Sequence, residues 1–214
     1  MNKNFCIILI LTGFIYLISK YTLLKKNIEK FSNNPKIAIL IISAKSERFN
    51  IEKKIWKKYA NKFSNIDCYF IECNQNKEHF TNLKLNCKES YIPGIYQKSL
   101  KSLEKIGDKY DYYVRTNLST FLIVPYLNSY VKKIPQDIPL LTGKCMKPKW
   151  ASGTSIVLNK KGRDHLLTYG FKNVYYKNTS VPDDVLIGKV FNDFGMKCTS
   201  IRNSQTLFRW NSNN

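Results

Sequence analysis

An α/β layer fold with a mostly parallel central sheet flanked by helices is what the sequence predicts, on three observations. KIAILIIS, residues 36–43, is a continuous apolar run of strand length, the composition of a strand buried on both faces. Further strand-like runs follow it, separated by segments of helical period, which is the order of parallel strands joined by crossover helices. No internal repeat or low-complexity tract interrupts the alternation.

The elements follow in order. SERFNIEKKIWKKYANKF reads as a helix with Ile51, Ile55 and Trp56 on one inward stripe. DCYFIEC, residues 67–73, is the next strand. YIPGIYQKSLKSLEKIG holds a helix that starts after Pro93 and Gly94, turns Ile95, Leu100 and Leu103 inward and ends at Gly107. YDYYV, IPLLTG and TSIVLN are three more strands, NKKGRDHLLTYG and PDDVLIGKVFNDFG two more helices, and KCTSI a last strand.

The 214 residues, 43% hydrophobic, suffice for one substantial core with appendages. The formal charge of +20 would ordinarily point to nucleic acid or an anionic surface. Only five of the basic residues are Arg, however, and the Lys are spread along a chain rich in Asn, Ile and Tyr. A solvated, compositionally biased surface accounts for this, and no nucleic-acid partner is expected.

Residues 5–19, FCIILILTGFIYLIS, carry no charge, and residues 21–24 extend the run past Lys20. About 20 residues make ~30 Å of helix, enough to cross a bilayer core if Lys20 snorkels. No small-x-small cleavage site follows, so an uncleaved anchor over residues 1–24, a linker over 25–35 and a globular domain over 36–214 are expected. Lys20, Lys25, Lys26 and Lys30 outweigh Lys3, and by the positive-inside rule alone the large C-terminal part would stay cytosolic.

Beyond Cys6, five cysteines remain: Cys68, Cys73, Cys87, Cys145 and Cys198. There is no Cys-x-x-Cys pair and only two His, so a zinc site is not expected. In a lumenal domain up to two disulfides could form, with one thiol left over.

Ligands of such sheets bind beyond the C-terminal ends of the strands. Two polar segments lie at such ends, IISAKSERF after the first strand and RTNLSTF after YDYYV. Together they could make a nucleotide and diphosphate site, although strand-to-helix turns are commonly rich in Ser, Thr and Asn for local reasons.

The series of segments resembles the fringe and β-1,3-galactosyltransferase type of glycosyltransferase, single-pass membrane enzymes with a GT-A catalytic domain. RFNIEKKIW keeps Arg48, Ile51 and Trp56 of an Arg-rich family segment, with Phe49 and Lys53 in place of arginines. ESYIPGIYQKSL matches an acidic-Ser-Tyr stretch that leads to Lys98. YDYYVRTNLSTF aligns with a strand ending in Lys-Thr-Asp-Asp-Asp-x-Phe, its acidic triplet replaced by Asn117, Leu118 and Ser119. ASGTSIVLN keeps Ser152, Gly153, Val157 and Leu158, and VPDDVLIG retains the last block whole.

The resemblance implies a membrane-anchored inverting transferase that moves a hexose or N-acetylhexosamine from a UDP-sugar to a hydroxyl of a glycan or glycoprotein. It implies type II topology with a lumenal, Golgi- or ER-like catalytic domain. Asp184 would be the base, and Asp183 a helix cap or acceptor contact; acidic residues at a helix start also cap it for purely structural reasons. Ser43, Lys45, Arg48 and Lys98 would line the nucleotide and diphosphate, with Arg115, Thr116, Asn117 and Ser119 at the strand end. Gly153 would let the backbone approach the sugar, Ser152 beside it, and Trp150 could stack on a ring.

In the family the acidic triplet holds a divalent cation, usually Mn²⁺. Asn117 and Ser119 offer only neutral oxygens, so Mn²⁺ has lost its carboxylate ligands here. Arg115, with Lys98 or Arg209, could neutralise the leaving diphosphate instead; otherwise the chain has kept the fold as a catalytically inactive sugar- or nucleotide-binding protein. Two N-glycosylation sequons, Asn117-Leu-Ser119 and Asn178-Thr-Ser180, are present; the first falls in the expected site and is assigned no glycosylation role.

Overall fold

A computed structural model describes Ser19 and residues 34–44, 46–73, 83–146, 149–200 and 208–210. The expected membrane anchor and most of the linker lie outside the described residues. Among those described, no helix is long and apolar enough to cross a membrane.

The globular unit spans Pro35–Asn214. Its elements are β1 (Ile37–Ile42), α1 (Glu47–Ala60), β2 (Ile66–Cys73), β3 (Leu83–Leu85), α2 (Gly94–Ile106), β4 (Tyr112–Asn117), β5 (Thr120–Leu122), α3 (Val124–Val131), β6 (Leu141–Met146), β7 (Trp150–Asn159), α4 (Lys160–Gly170), α5 (Asn173–Tyr176), α6 (Asp183–Asn192) and β8 (Phe208–Trp210). Six strands form one sheet in the order β3-β2-β1-β4-β7-β6, and β5 and β8 form a separate two-stranded ribbon.

The central position of β1 follows from its residues. Ile37, Ile39 and Ile41 face one hydrophobic layer while Ala38 and Leu40 face the other, so a strand apolar throughout serves both. It pairs in parallel with β2 and β4, and β2 with β3. The mostly parallel sheet has one reversal: β7 runs antiparallel to both β4 and β6. That reversal brings the start of β7 beside the end of β4, at the pole where ligands bind in α/β sheets.

Local chemistry sets the element ends. Ser46 caps α1, its Oγ accepting from Phe49 N at 3.3 Å, and Asn159 caps α4 with Oδ1 accepting from Gly162 N at 2.7 Å. Gly107, at φ 73°, ends α2 in a conformation that costs other residues strain.

Three expectations are corrected. Ile51 and Ile55 point outward, 63% and 55% exposed, and α1 buries Lys53, Trp56 and Ala60 instead; Trp56 alone of the expected stripe faces the core. Ile95 is only half-buried, whereas Leu100 and Leu103 are in the core. KCTSI is not a strand in its described part, Lys197–Ser200: Thr199 makes one isolated bridge to Thr142. A disulfide from Cys198 to Cys145 fixes that segment at the edge strand β6.

A second disulfide joins Cys73, at the end of β2, to Cys87. Cys68 remains a thiol, its ionisation pushed up to about 12, chiefly by burial. Among the described residues, these two bridges use four of the five cysteines beyond Cys6.

α5 is tied to α6 by one bond: the Tyr175 hydroxyl donates to Asp193 Oδ2 at 2.5 Å. That bond pushes the Tyr175 phenol up to about 12 and, with help from Lys189, holds the Asp193 carboxyl below its ordinary value. A lowered carboxyl contributes stability above its unfolded pKa of about 4 and loses it as the pH falls through the folded value. A raised phenol contributes below about pH 10 and loses it as the pH climbs toward 12. Tyr175→Phe should therefore lower stability by no more than about 1 kcal/mol near neutrality, since Asp193 is largely solvated. The gap from wild type should close at both pH extremes in urea melts run from acid to alkaline pH.

Candidate active site

The polar strand ends of the sequence meet at the C-terminal pole of β1 and β4. Ile42 and Asn117 are register partners, so the residues that leave these two strands emerge side by side. Two linked clusters are built there.

The first joins β4, β7 and α6. Arg115 enters as a buried β4 side chain, only 5% exposed. Its Nη2 lies 2.6 Å from Asp183 Oδ2, and its Nη1 donates to Asn117 Oδ1 at 2.9 Å and to the carbonyl of Gly153. Its Nε is buried without a hydrogen-bond partner. Thr116, fully buried, donates through Oγ1 to the carbonyl of Thr154 at 2.8 Å, which stitches β4 to β7 one residue further along.

Gly153 serves both ends of this cluster. A Cβ on it would sit 2.5 Å from Arg115 Nη1, so the missing side chain is the space the guanidinium fills. Its N–H donates to Asp184 Oδ2 at 3.0 Å, while Asp184 Oδ1 accepts from Val185 N at 2.9 Å. One carboxylate oxygen thus stays with its own helix start and the other reaches across to β7, so Asp184 does more than cap α6. Asp184 is partly exposed, whereas Asp183 is buried at 8% exposure. Burial pushes the Asp183 carboxyl above its ordinary value, Arg115 pulls against that, and Asp184 adds to the rise.

The last block, VPDDVLIG, is closed by Gly188. A Cβ there would lie 2.6 Å from the carbonyl oxygen of Lys149 and closer still to Trp150 Cβ, so α6 packs directly on the backbone that opens β7. Gly188→Ala should push the helix off the strand, with a cost of about 1–3 kcal/mol in urea unfolding. Because Asp184 sits one turn earlier on that helix, the same variant should lose its fixed distance to Gly153.

The second cluster joins β1, β2, α1 and α2. Lys98, 2% exposed, donates to the carbonyl of Ser43 at 2.9 Å and pairs with Glu89, whose other oxygen accepts from Cys73 N at 2.7 Å. Ser43 donates through Oγ to Glu72 Oε1 at 2.9 Å, and Lys53 pairs with the same carboxylate. These residues lock the ends of β1 and β2 through buried charge.

Of the expected site residues, the fold brings together Arg115, Thr116, Asn117, Ser152, Gly153, Asp183 and Asp184, with Ser43 and Lys98 at the neighbouring strand end. Ser152 Oγ lies 3.2 Å from Thr154 Oγ1, and Trp150 is half-buried against α6. Ser119 is exposed in the turn before β5. Lys45 and the side chains of Arg48 and Arg209 lie outside the described residues. Glu72 and Glu89 were missed, although an acid inside the apolar strand DCYFIEC signals a buried cation partner.

The metal expectation can be tested on the donor set itself. Asn117 Oδ1 accepts from a guanidinium, Leu118 is 6% exposed in the apolar layer, and Ser119 supplies one neutral hydroxyl. A hard divalent cation needs anionic oxygens, and here it would face Arg115. These residues do not fit Mn²⁺. Among the described residues, no group of three or more His, Cys, Asp or Glu could hold a metal.

The central six-stranded sheet with flanking helices matches a GT-A-like fold. The chain is similar to the catalytic domain of Drosophila β1,4-galactosyltransferase 7 in complex with xylobiose, at TM-score 0.51 and 13% identity, over 84% of this chain and 71% of that one. A mutant of the same enzyme in complex with manganese, UDP-Gal and xylobiose matches at TM-score 0.50 and 13% identity, over 83% and 71%. The Streptococcus pneumoniae glycosyltransferase GlyE matches more loosely, at TM-score 0.48 over 79% and 46%. No protein-family model and no curated protein matches the sequence. The likeness reaches the fold and does not single out the fringe type.

Proposed function

We propose that this chain is a membrane-anchored inverting glycosyltransferase that moves a hexose or N-acetylhexosamine from a UDP-sugar to a hydroxyl of a glycan or glycoprotein. One observation carries the reading: Asp184 is a partly exposed carboxylate held by the Gly153 amide at the ligand-binding pole of the sheet. A base must stand within hydrogen-bond reach of the hydroxyl it deprotonates, and a fixed carboxylate at the rim meets that need. The UDP-Gal and xylobiose named for one structural neighbour support a nucleotide-sugar donor and a sugar acceptor as the substrate classes. Two disulfides support an oxidising, lumenal setting, against the flanking Lys that favour the cytosolic side.

In this reading the acceptor oxygen attacks the anomeric carbon as its proton passes to Asp184, and the bond to the nucleoside diphosphate breaks. No step passes through a metal. Arg115 pairs with Asp183, the neighbour of the base in sequence, and its Nε is buried without a hydrogen-bond partner.

A second reading, a catalytically inactive sugar- or nucleotide-binding protein, draws on the same cluster. Arg115 and Lys98, the two described cations expected at the diphosphate, are each paired with a carboxylate. Calorimetric titration of the full chain in detergent against a panel of UDP-sugars, with and without EDTA, separates the readings when run beside an assay of UDP release. Binding and EDTA-insensitive UDP release support the enzyme. Binding without release supports the second reading, and absence of binding to every donor defeats both.

A further inference from the structure

We propose that Asn178 carries an N-linked glycan. The motif alone is weak, because Asn-x-Ser/Thr occurs by chance and works only on exposed chain in a lumenal domain. Three observations on this molecule supply the missing conditions.

The first is placement. Asn178-Thr179-Ser180 lies in the segment between α5 and α6, outside both, with Thr179 and Ser180 exposed and Asn178 half-buried. The second is the orientation of the amide. Asn178 Oδ1 accepts from Ser180 N and Val181 N, each at 3.0 Å, and lies 3.2 Å from Ser180 Oγ. Two backbone N–H donors can be met only by the amide oxygen, so the flip is fixed by the network. Nδ2, the atom a glycan would occupy, makes no hydrogen bond among the described residues. A sugar there leaves every bond of the turn intact.

The third is compartment. Cys73–Cys87 and Cys145–Cys198 are separate bridges that close different parts of the domain. Disulfides persist in the oxidising compartments where the glycan donor is found.

The rival sequon differs in placement. Asn117 ends β4, a strand with a neighbour on each side, and its Oδ1 is held by buried Arg115. A glycan there would stand in the strand end beside the buried Arg115–Asp183 pair, so Asn117 is expected bare.

The step takes an oligosaccharide from a polyprenyl diphosphate carrier. A bond forms between Nδ2 and the anomeric carbon, the bond from that carbon to the diphosphate oxygen breaks, the carrier leaves as its diphosphate, and one Nδ2 proton passes to the host transferase. This chain is the substrate, so the inference stands independently of its own activity.

The test is expression of the full chain in a eukaryotic secretory host, followed by peptide N-glycosidase F and gel electrophoresis. Wild type should show a single enzyme-sensitive shift of one glycan. Asn178→Gln and Ser180→Ala should abolish it, and Asn117→Gln should leave it unchanged. Ser180→Ala keeps Asn178 in place, so a loss in both variants reports the sequon and not a folding defect. Absence of the shift in wild type, whether or not the two disulfides have formed, overturns the proposal. So does a shift that disappears in Asn117→Gln and persists in Asn178→Gln.

Discussion

Asp184→Asn should reduce sugar transfer by about 10²- to 10⁴-fold, the range over which a positioned base contributes to catalysis. The amide keeps one oxygen, which can accept from Gly153 N or from Val185 N but not from both, so one of the two bonds at the start of α6 is lost. It cannot take the acceptor proton. Donor affinity measured by calorimetry should stay close to wild type while turnover collapses, which separates a missing base from a damaged site. If Asp184→Asn kept turnover within about threefold of wild type, Asp184 would not be the base, since so small a loss lies below any general-base contribution.

Arg115→Met should be the most destabilising substitution at the pole, at about 3–5 kcal/mol in urea unfolding, because it leaves the buried Asp183 carboxylate without its cation. The size of the loss comes from what remains behind and not from the worth of the pair. Arg115→Met combined with Asp183→Leu removes both charges and should recover most of the stability, since apolar replacement of a whole buried pair is often neutral or better. A double variant no more stable than Arg115→Met alone would show that the hydrogen bonds of Arg115 to Asn117 and Gly153 matter more than its charge.

Both variants depend on features that differed in how far they could be read from sequence. β1 was legible because every residue from Ile37 to Ile41 is fully buried, and an unbroken apolar run admits little else. α1 was legible as a helix but not in its facing. Its inward positions include Lys53, which a hydrophobicity pattern places in solvent and which Glu72 of β2 neutralises. Short pieces such as β5 and β8 hold together by pairing with each other across a long stretch of chain, and three residues carry no period of their own.

At the site, the resemblance of the sequence blocks pointed to Asp184, Gly153 and Arg115, and the fold places these three residues in contact through Gly153. Their mutual bonds were not legible, because Gly153 reads as a turn or a sugar contact until its empty side-chain space is seen to hold a guanidinium. That the strand end offers only the neutral oxygens of Asn117 and Ser119 was visible in the sequence; that Arg115 turns to Asp183 at the same place was not.

The reversed strand β7 also bears on how the protein is made. Because β7 returns to the end of β4, and α6 then lies on its first residues, the partners of Arg115 come from positions as far apart as Asn117, Gly153 and Asp183. A nascent chain that has exposed β1 to β4 can begin the sheet, yet Arg115 stays uncompensated until residue 183 emerges. The pole therefore closes late in synthesis, and any truncation before α6 discards Asp184 together with the counter-charge that lets β4 be buried.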